Sequence, residues 1–311
     1  MRILASSFHS PVSTSQWATI ILFLALSFTA RSTQSQSLGW EGPTGVFVTP
    51  LAYTSASPAN GLGKPSVGYH FLATGPVVGD YSTVSVTEGF AKRFEAGYTS
   101  EIHAGADPSG LWSSDFGIVH GKATIVPENA AKTKWVPAIA VGGILRFNDN
   151  DALDGYNAGN AGLHLGQTTK NGDVYVVATK VVTQISKKVP VLLNAGLRGT
   201  NSSLWGLGGN APGFTARGFG ALALVFTGPS KSTIIVGSEI SQQPRRIKAG
   251  SGSVLDIPTS EVYAVRIVPS PKHKLNIDAG ILHAGGNVSG GGVNLNLNAR
   301  ARAAFGISYG F

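Results

Sequence analysis

Hydrophobic and polar residues alternate one by one along much of the chain, in short stretches separated by Gly, Pro, Asn, Asp and Ser. In residues 300–311, one face carries Ala, Phe, Ile and Tyr, and the other carries Arg, Ala, Gly and Ser. A period of two is that of a β-strand whose two faces meet different surroundings. Clear stretches lie at 135–147, 191–198, 214–226, 275–281 and 300–311. Weaker ones lie at 66–73, 81–88, 93–101, 115–126, 173–183, 232–241 and 260–268.

These stretches predict an all-β fold of about 12 strands, with roughly 10 to 14 compatible with the spacing. No stretch of comparable length shows the i, i+3, i+4, i+7 spacing of an amphipathic helix. A soluble sandwich would place the polar faces in water and pack the apolar faces together. A transmembrane antiparallel β-barrel would turn the apolar faces to lipid and the polar faces to a lumen.

Three features favour the barrel over the sandwich. The first is an N-terminal export signal, described below. The second is glycine and alanine on the inward faces, where a narrow, curved sheet has little room. The third is a set of aromatic residues near strand ends, as an interfacial girdle requires: Trp135, Phe147, Phe214, Phe226, Phe305 and Phe311. Backbone groups in hydrocarbon must all be paired, so a spanning sheet has to close on itself.

The N-terminus contains the longest apolar run, residues 18–30. A run of ~13 residues is short for a bilayer span, and the preceding Arg2 and following small residues are typical of a signal peptide. The alternative is a single N-terminal membrane anchor. The sequence thus predicts a signal peptide at 1–37, a Pro/Gly-rich N-terminal segment at 38–65 and the barrel at 66–311. The N-terminal segment is expected in the periplasm or inside the lumen.

Composition narrows the classes further. The 311 residues include 41 Gly and no Cys, 13% are charged, and the formal net charge is +8. A disulfide scaffold and a Cys-based metal or redox site are excluded. Because Lys and Arg are spread singly and the chain carries an export signal, we expect no nucleic-acid partner. No spacing of Ser, His and Asp indicates a nucleophile with its base, so the sequence predicts no catalytic residues. It also predicts no metal and no cofactor. A lipid-modifying enzyme of the outer membrane is a remote alternative.

Charged residues recur on the faces opposite the apolar ones. The lumen-lining candidates are Arg93, Glu95, Arg146, Arg198, Arg217, Arg266, Asp278, Arg300 and Arg302. Their excess of Arg predicts a basic lumen that favours anions or acidic sugars. The alternative is that Arg and acidic residues pair across neighbouring strands in a blocked interior, because a barrel of this size can be filled by its own side chains.

The stretch from Phe305 to Phe311 resembles the C-terminal signal of Gram-negative outer-membrane proteins. The resemblance implies that the barrel-assembly machinery recognises Phe305, Ile307, Tyr309 and Phe311. Residues 42–52, 92–98, 135–142 and 175–180 resemble an uncharacterised bacterial family, a domain of unknown function thought to be an outer-membrane barrel. Residues 44–50 are also similar to an exopolysaccharide-associated outer-membrane family.

The function expected from these observations is a porin-like passive channel of the cell outer membrane with a mild anion preference. A closed structural or envelope-interaction barrel, serving polysaccharide export, is the alternative. The expected partners are outer-membrane lipid, the barrel-assembly machinery, and small anionic solutes or polysaccharide.

Overall fold

A computed structural model describes residues 37–74, 79–104, 115–147, 170–184, 186, 188–202, 210–244, 247–248, 254–255, 259–270, 274–284, 287–290, 293–296 and 302–311. The expected signal peptide lies outside these residues except for Ser37, and so does the lumen candidate Arg300. Among the described residues, no helix is long and apolar enough to cross a membrane.

The described part of the chain is built from β-strands. The first eight are β1 Ser66–Ala73, β2 Asp80–Phe90, β3 Phe94–Ala104, β4 Phe116–Val126, β5 Ala138–Phe147, β6 Lys170–Val182, β7 Val191–Ser202 and β8 Asn210–Thr227. The others are β9 Thr233–Ser241, β10 Ile247–Lys248, β11 Val254–Leu255, β12 Ser260–Val268, β13 Leu275–Ala284, β14 Asn287–Gly290, β15 Val293–Asn296 and β16 Arg302–Gly310. Single 3-10 turns lie at Ala130–Lys132 and Pro229–Lys231.

Twelve of these strands close one antiparallel barrel, in the order β1-β16-β13-β12-β9-β8-β7-β6-β5-β4-β3-β2. The predicted all-β barrel and its strand number are therefore confirmed. The short strands β10 with β11 and β14 with β15 form two separate hairpins. One end of the barrel, where β1 begins and β16 finishes, is called the near end, and the opposite end is the far end.

The alternation seen in the sequence becomes a difference between the two faces of the wall. Outward residues such as Val174 and Leu197 are about 60% exposed (61% and 60%), whereas inward neighbours such as Asp173 and Arg198 are buried. A small residue is required where an inward ring leans on a neighbouring strand, as Tyr175 does on Gly142. A Cβ at Gly142 would lie 2.4 Å from the Tyr175 Oη. Trp135, expected within a strand, lies before β5 and is exposed.

Residues 37–57, called here the inner segment, lie inside the barrel. The segment enters and leaves at the near end: Ser37 Oγ is 3.4 Å from Ser308 Oγ, close to the end of β16. It extends towards the far end as far as Trp40, whose Nε1 donates to Glu101 of β3. It then returns to the turn between β2 and β3, where the Lys92 backbone N–H donates to Ser57 Oγ at 2.8 Å. Residues 58–65 lead directly into β1, so the closed wall surrounds a stretch of its own chain.

Candidate functional site

The inner segment occupies the lumen, so the site is the set of contacts between this segment and the inner wall. Its hydrogen bonds reach inward side chains around the wall: they come from β1, β2, β3, β4, β5, β6, β7, β9, β12 and β16. Contacts on every side place the segment across the lumen rather than along one wall.

The Glu239 carboxylate of β9 binds residues 47–49 of the inner segment through their main chain. Glu239 Oε1 accepts from Phe47 N at 2.6 Å, and Oε2 accepts from Val48 N at 3.0 Å and Thr49 N at 2.7 Å. The Thr49 hydroxyl adds a bond of 2.7 Å to Oε2. Consecutive backbone N–H groups that converge on one anion are a known mode of carboxylate binding. The contact depends on the fold of the segment more than on its side chains.

The Glu95 and Lys122 pair, on β3 and β4, binds the part of the inner segment nearer the near end. Lys122 Nζ is 2.8 Å from Glu95 Oε1 and donates to the carbonyls of Thr44 and Leu51, each at 2.9 Å. All three ammonium protons therefore have an acceptor. Glu95 also accepts from Thr44 N, Thr44 Oγ1 and Ser55 N at 2.7–2.9 Å. A buried charge pair with this many hydrogen bonds meets the condition under which such pairs are tolerated.

A third contact joins the Glu41 side chain of the segment to a charged group on β5, β6 and β7. Arg146 is fully buried and forms ion pairs with Glu41 at 2.5 Å and Asp173 at 2.9 Å. Its Nη1 donates to Asn171 Oδ1 at 3.1 Å. Arg198 also lies beside Asp173, with 3.7 Å between Arg198 Nη1 and Asp173 Oδ2. Two guanidinium groups thus face two carboxylates, one of which comes from the inner segment.

The pair of Arg266 and Asp278 joins β12 to β13 and also touches the segment. The two residues are directly opposite in register, and Arg266 Nε donates to Asp278 Oδ1 at 2.6 Å. The Arg266 guanidinium also donates to the carbonyls of Gly45 and Val46. This is the cross-strand arginine and acid pairing that the sequence offered as the alternative to an open basic lumen.

Apolar side chains of the segment fill the space between these polar contacts. Trp40, Phe47 and Val48 form one buried cluster with the wall residues Leu72, Tyr81, Val262, Leu282 and Ala304. Ala52 and the partly buried Tyr53 belong to a second cluster with residues of β4, β5, β6 and β8. Burial of apolar surface contributes to docking at about 25 cal/mol per Å².

At the near end, Tyr53 Oη donates to Glu128 Oε2 at 2.9 Å, and Glu128 also pairs with Lys180 at 3.0 Å. Partial burial beside the Glu128 carboxylate raises the pKa of the Tyr53 phenol. The phenol therefore stays protonated and remains a donor across the physiological range.

The predicted lumen residues fall into three groups. Glu95, Arg146, Arg198, Arg217, Arg266, Asp278 and Arg302 lie on the inner side of the wall. Arg93 does not: it lies in the turn between β2 and β3 and is exposed, because β3 begins one residue later, at Phe94. Arg300 lies outside the described residues. The four expected assembly residues, Phe305, Ile307, Tyr309 and Phe311, all point outward and are between 36% and 43% exposed.

Formally charged residues of both signs face the described interior. The inward cations are Lys122, Arg146, Arg198, Arg217, Arg266 and Arg302, and the carboxylates facing them are Glu41, Glu95, Glu101, Asp173, Glu239 and Asp278. Their numbers are equal, so the formal charges of these described inward residues balance while the segment is in place. Glu101 and Asp173 lie in predicted strands, at alternate positions that face inward, so the sequence pattern could have identified them. Glu41 lies outside the predicted strands, and no such pattern marks it.

Arg217 and Arg302 form no ion pair within the described residues, and the Nε atom of each is buried without a hydrogen-bond partner there. Arg217 of β8 lies directly opposite Arg198 of β7 in register, and Arg302 lies in β16. The arrangement as a whole consists of polar and charged wall groups that bind the inner segment.

The solved structures to which the chain is similar include outer-membrane porins and channels, at low sequence identity. The KdgM porin is 12% identical, with 79% of this chain and 99% of that chain covered and a TM-score of 0.45. The NanC porin is 10% identical, with coverage of 79% and 98% and a TM-score of 0.43. An outer-membrane channel from Pseudomonas putida F1 is 11% identical, with coverage of 82% and 97% and a TM-score of 0.44.

No protein-family model and no curated protein sequence matches the chain. The resemblance to an uncharacterised bacterial family therefore gains no support from a family match. The solved structures are too distant in sequence and in fold to assign a function to this chain.

Proposed function

We propose that the protein is a porin-like channel of the cell outer membrane whose lumen is closed by the inner segment and opens when that segment leaves. The observation that carries the proposal is a complete twelve-strand barrel that encloses a separate stretch of chain. The wall closes on itself through β1 and β16, so its ladder of hydrogen bonds does not need the segment.

The way in which the segment is bound supports its release. Residues 37–57 contact the wall through side chains and through bonds between side chains and backbone, such as those to Glu239 and Glu95. In the described part of the chain, backbone-to-backbone bonds with the wall begin only at Gly61, beside the near end. Release would exchange these contacts for water without breaking a strand pair.

The outer surface supports a membrane location. Outward Val, Leu, Ile and aromatic side chains form an exposed band on the described strands, and a closed barrel leaves no unpaired sheet edge in lipid. We propose outer-membrane lipid as the surrounding partner, and the outward aromatic stripe of β16 as the element bound by the barrel-assembly machinery.

A mild anion preference is part of this proposal. With the inner segment present the described interior is charge-balanced, and Glu41 is one of its carboxylates. Departure of the segment removes Glu41 and leaves the inner wall with a net positive charge, to which Arg217 and Arg302 contribute. A cationic wall favours anions.

The test is conductance in planar bilayers of the refolded chain beginning at residue 38, compared with a chain that begins at residue 58. The first should be closed most of the time and show brief openings, whereas the truncated chain should conduct steadily. The reversal potential of the truncated chain in a KCl gradient should indicate more chloride than potassium current.

The matched control is the chain that begins at residue 38, with residues 38–57 replaced by a Gly/Ser sequence of equal length. It should behave as the truncated chain does. Heat-modifiable gel migration reports whether each barrel has folded. A folded truncated barrel that leaves the bilayer sealed would contradict the proposal.

A closed structural or envelope-interaction barrel is the second candidate, and the filled interior favours it. It predicts that the complete chain never opens at any voltage, even though removal of the segment creates a pore. It also predicts that the chain co-purifies with an envelope partner.

A further inference from the structure

The charged group around Arg146 is balanced only while the inner segment is in place. Arg146 and Arg198 belong to the wall, and so does Asp173, but Glu41 belongs to the segment. When the segment leaves, Arg146 and Arg198 remain beside the one carboxylate of Asp173, and Arg217 lies directly opposite Arg198 on β8. The wall therefore keeps a vacancy for one negative charge at this position.

The vacancy has a defined shape. Arg146 Nε and Nη2 both contact Glu41 Oε1, while Nη1 is used by Asn171 and Nη2 also by Asp173. Loss of Glu41 would free the edge formed by Nε and Nη2, the geometry that a carboxylate accepts. Within this charged group, Asn171 Nδ2 and Arg198 Nε are further buried donors without a partner in the described wall, and Asp173 Oδ1 is a buried acceptor without one. Both donor residues are more than nine-tenths buried.

We propose that Glu41 holds the place of a solute carboxylate, and that Arg146, Arg198 and Asn171 form a binding site for carboxylate-bearing solutes. The inference rests on the proposed function, because the site is free only when the segment has left the lumen. In the closed state, Glu41 is an internal competitor for this site.

The proposal connects solute binding to opening. A solute that binds the wall only when Glu41 is absent shifts the equilibrium towards the open state by its differential affinity for the two states. By linkage, the closed state weakens solute binding by the same factor. The channel would thus open in response to the class of solute that it admits.

A single carboxylate fits this vacancy better than the alternatives. A neutral sugar would leave one of the two guanidinium charges without a counter-charge, which is unfavourable for buried groups. A phosphate carries more charge than the one that Glu41 supplies. The matched probes are therefore D-glucuronate and D-glucose, which differ in one carboxylate, together with inorganic phosphate.

The experiment is titration calorimetry of the refolded chain beginning at residue 38, in detergent, with each probe. The unaltered chain should bind glucuronate weakly. Glu41→Gln removes the competing charge but keeps the shape of the side chain, and it should tighten glucuronate binding about five- to thirty-fold, with no gain for glucose. The double variant Glu41→Gln with Arg146→Met should lose that gain. Equal binding of glucose and glucuronate, or tighter phosphate binding, would overturn the proposal.

The chain beginning at residue 58 separates this inference from the proposed function. It should bind glucuronate at least as tightly as the Glu41→Gln chain, since the site is vacant. If this chain conducts but does not distinguish glucuronate from glucose, the result contradicts the proposed carboxylate site and supports the proposed channel. If this chain binds glucuronate in preference to glucose but leaves the bilayer sealed, the result supports the proposed carboxylate site and contradicts the proposed channel.

Discussion

Two carboxylates fix the inner segment in opposite ways. Glu239 belongs to the wall and binds three consecutive backbone N–H groups of the segment, without a cation in that contact. Glu41 belongs to the segment and binds a wall guanidinium that already has a second carboxylate. The first contact depends on the main-chain conformation of the segment, and the second depends on the Glu41 side chain.

This difference bears on which contact holds the segment and which responds to solutes. Loss of the Glu239 carboxylate would leave several buried donors unsatisfied, and buried unpaired polar groups are costly. Loss of the Glu41 carboxylate would leave Arg146 still paired with Asp173. We therefore expect Glu239 to supply most of the docking free energy and Glu41 to supply the sensitivity to anions.

The largest effect is expected from Glu239→Ala. We expect the free energy of docking to fall by about 3 kcal/mol or more, because three backbone N–H groups and the Thr49 hydroxyl lose their acceptor. Hydrogen exchange by mass spectrometry at the Thr44 and Ser55 amides, which Glu95 binds instead, should be at least ~100-fold faster. Glu261→Ala is the control, because Glu261 of β12 bonds the exposed Tyr263 on the outer face. Unchanged exchange in the Glu239 variant would show that the contact does not hold the segment.

The Glu41→Gln variant should have a smaller effect in the same assay. The expected loss of docking free energy is about 1–2 kcal/mol, since Asp173 still neutralises Arg146 and the amide oxygen still accepts a hydrogen bond. Open probability in bilayers should rise less than it does in Glu239→Ala. A larger effect than that of Glu239→Ala would reverse the assignment of the two roles.

The smallest effect is expected from Tyr53→Phe at the near end. The substitution removes one partly buried hydrogen bond to Glu128 and should cost about 0.5–1 kcal/mol. Exchange at the Ser55 amide should increase a few-fold, whereas exchange at Thr44 should hardly change. Tyr69→Phe removes a similar hydroxyl contact, to Ser82, on the outer wall and should leave both amides unaffected.

Much of the wall could be predicted from sequence, because a two-residue period reports directly on two unlike faces. The alternation in 260–268 and 275–281 places Arg266 and Asp278 inward, and the structure pairs them across adjacent strands. The exposed position of Arg93 was missed, because the end of a strand is not marked by alternation and the turn at 91–93 precedes β3.

The inner segment could be predicted only in part. Its Pro/Gly-rich composition indicated a separate unit, and β1 begins at Ser66, directly after the expected end of that unit. Its contacts could not be predicted, because Glu41 and Thr49 are fixed by partners more than a hundred residues away in sequence, such as Arg146 and Glu239. No local periodicity encodes such contacts.

Residues 58–65 connect the inner segment to the first strand of the wall, and they can span at most about 27 Å when extended. A released segment therefore stays within a small volume around the mouth of its own barrel. Short tethers of this kind correspond to effective concentrations in the millimolar range. A free peptide with the sequence of residues 38–57 would have to reach comparable concentrations to close a truncated barrel, and reclosure of the intact chain should be independent of how dilute the protein is.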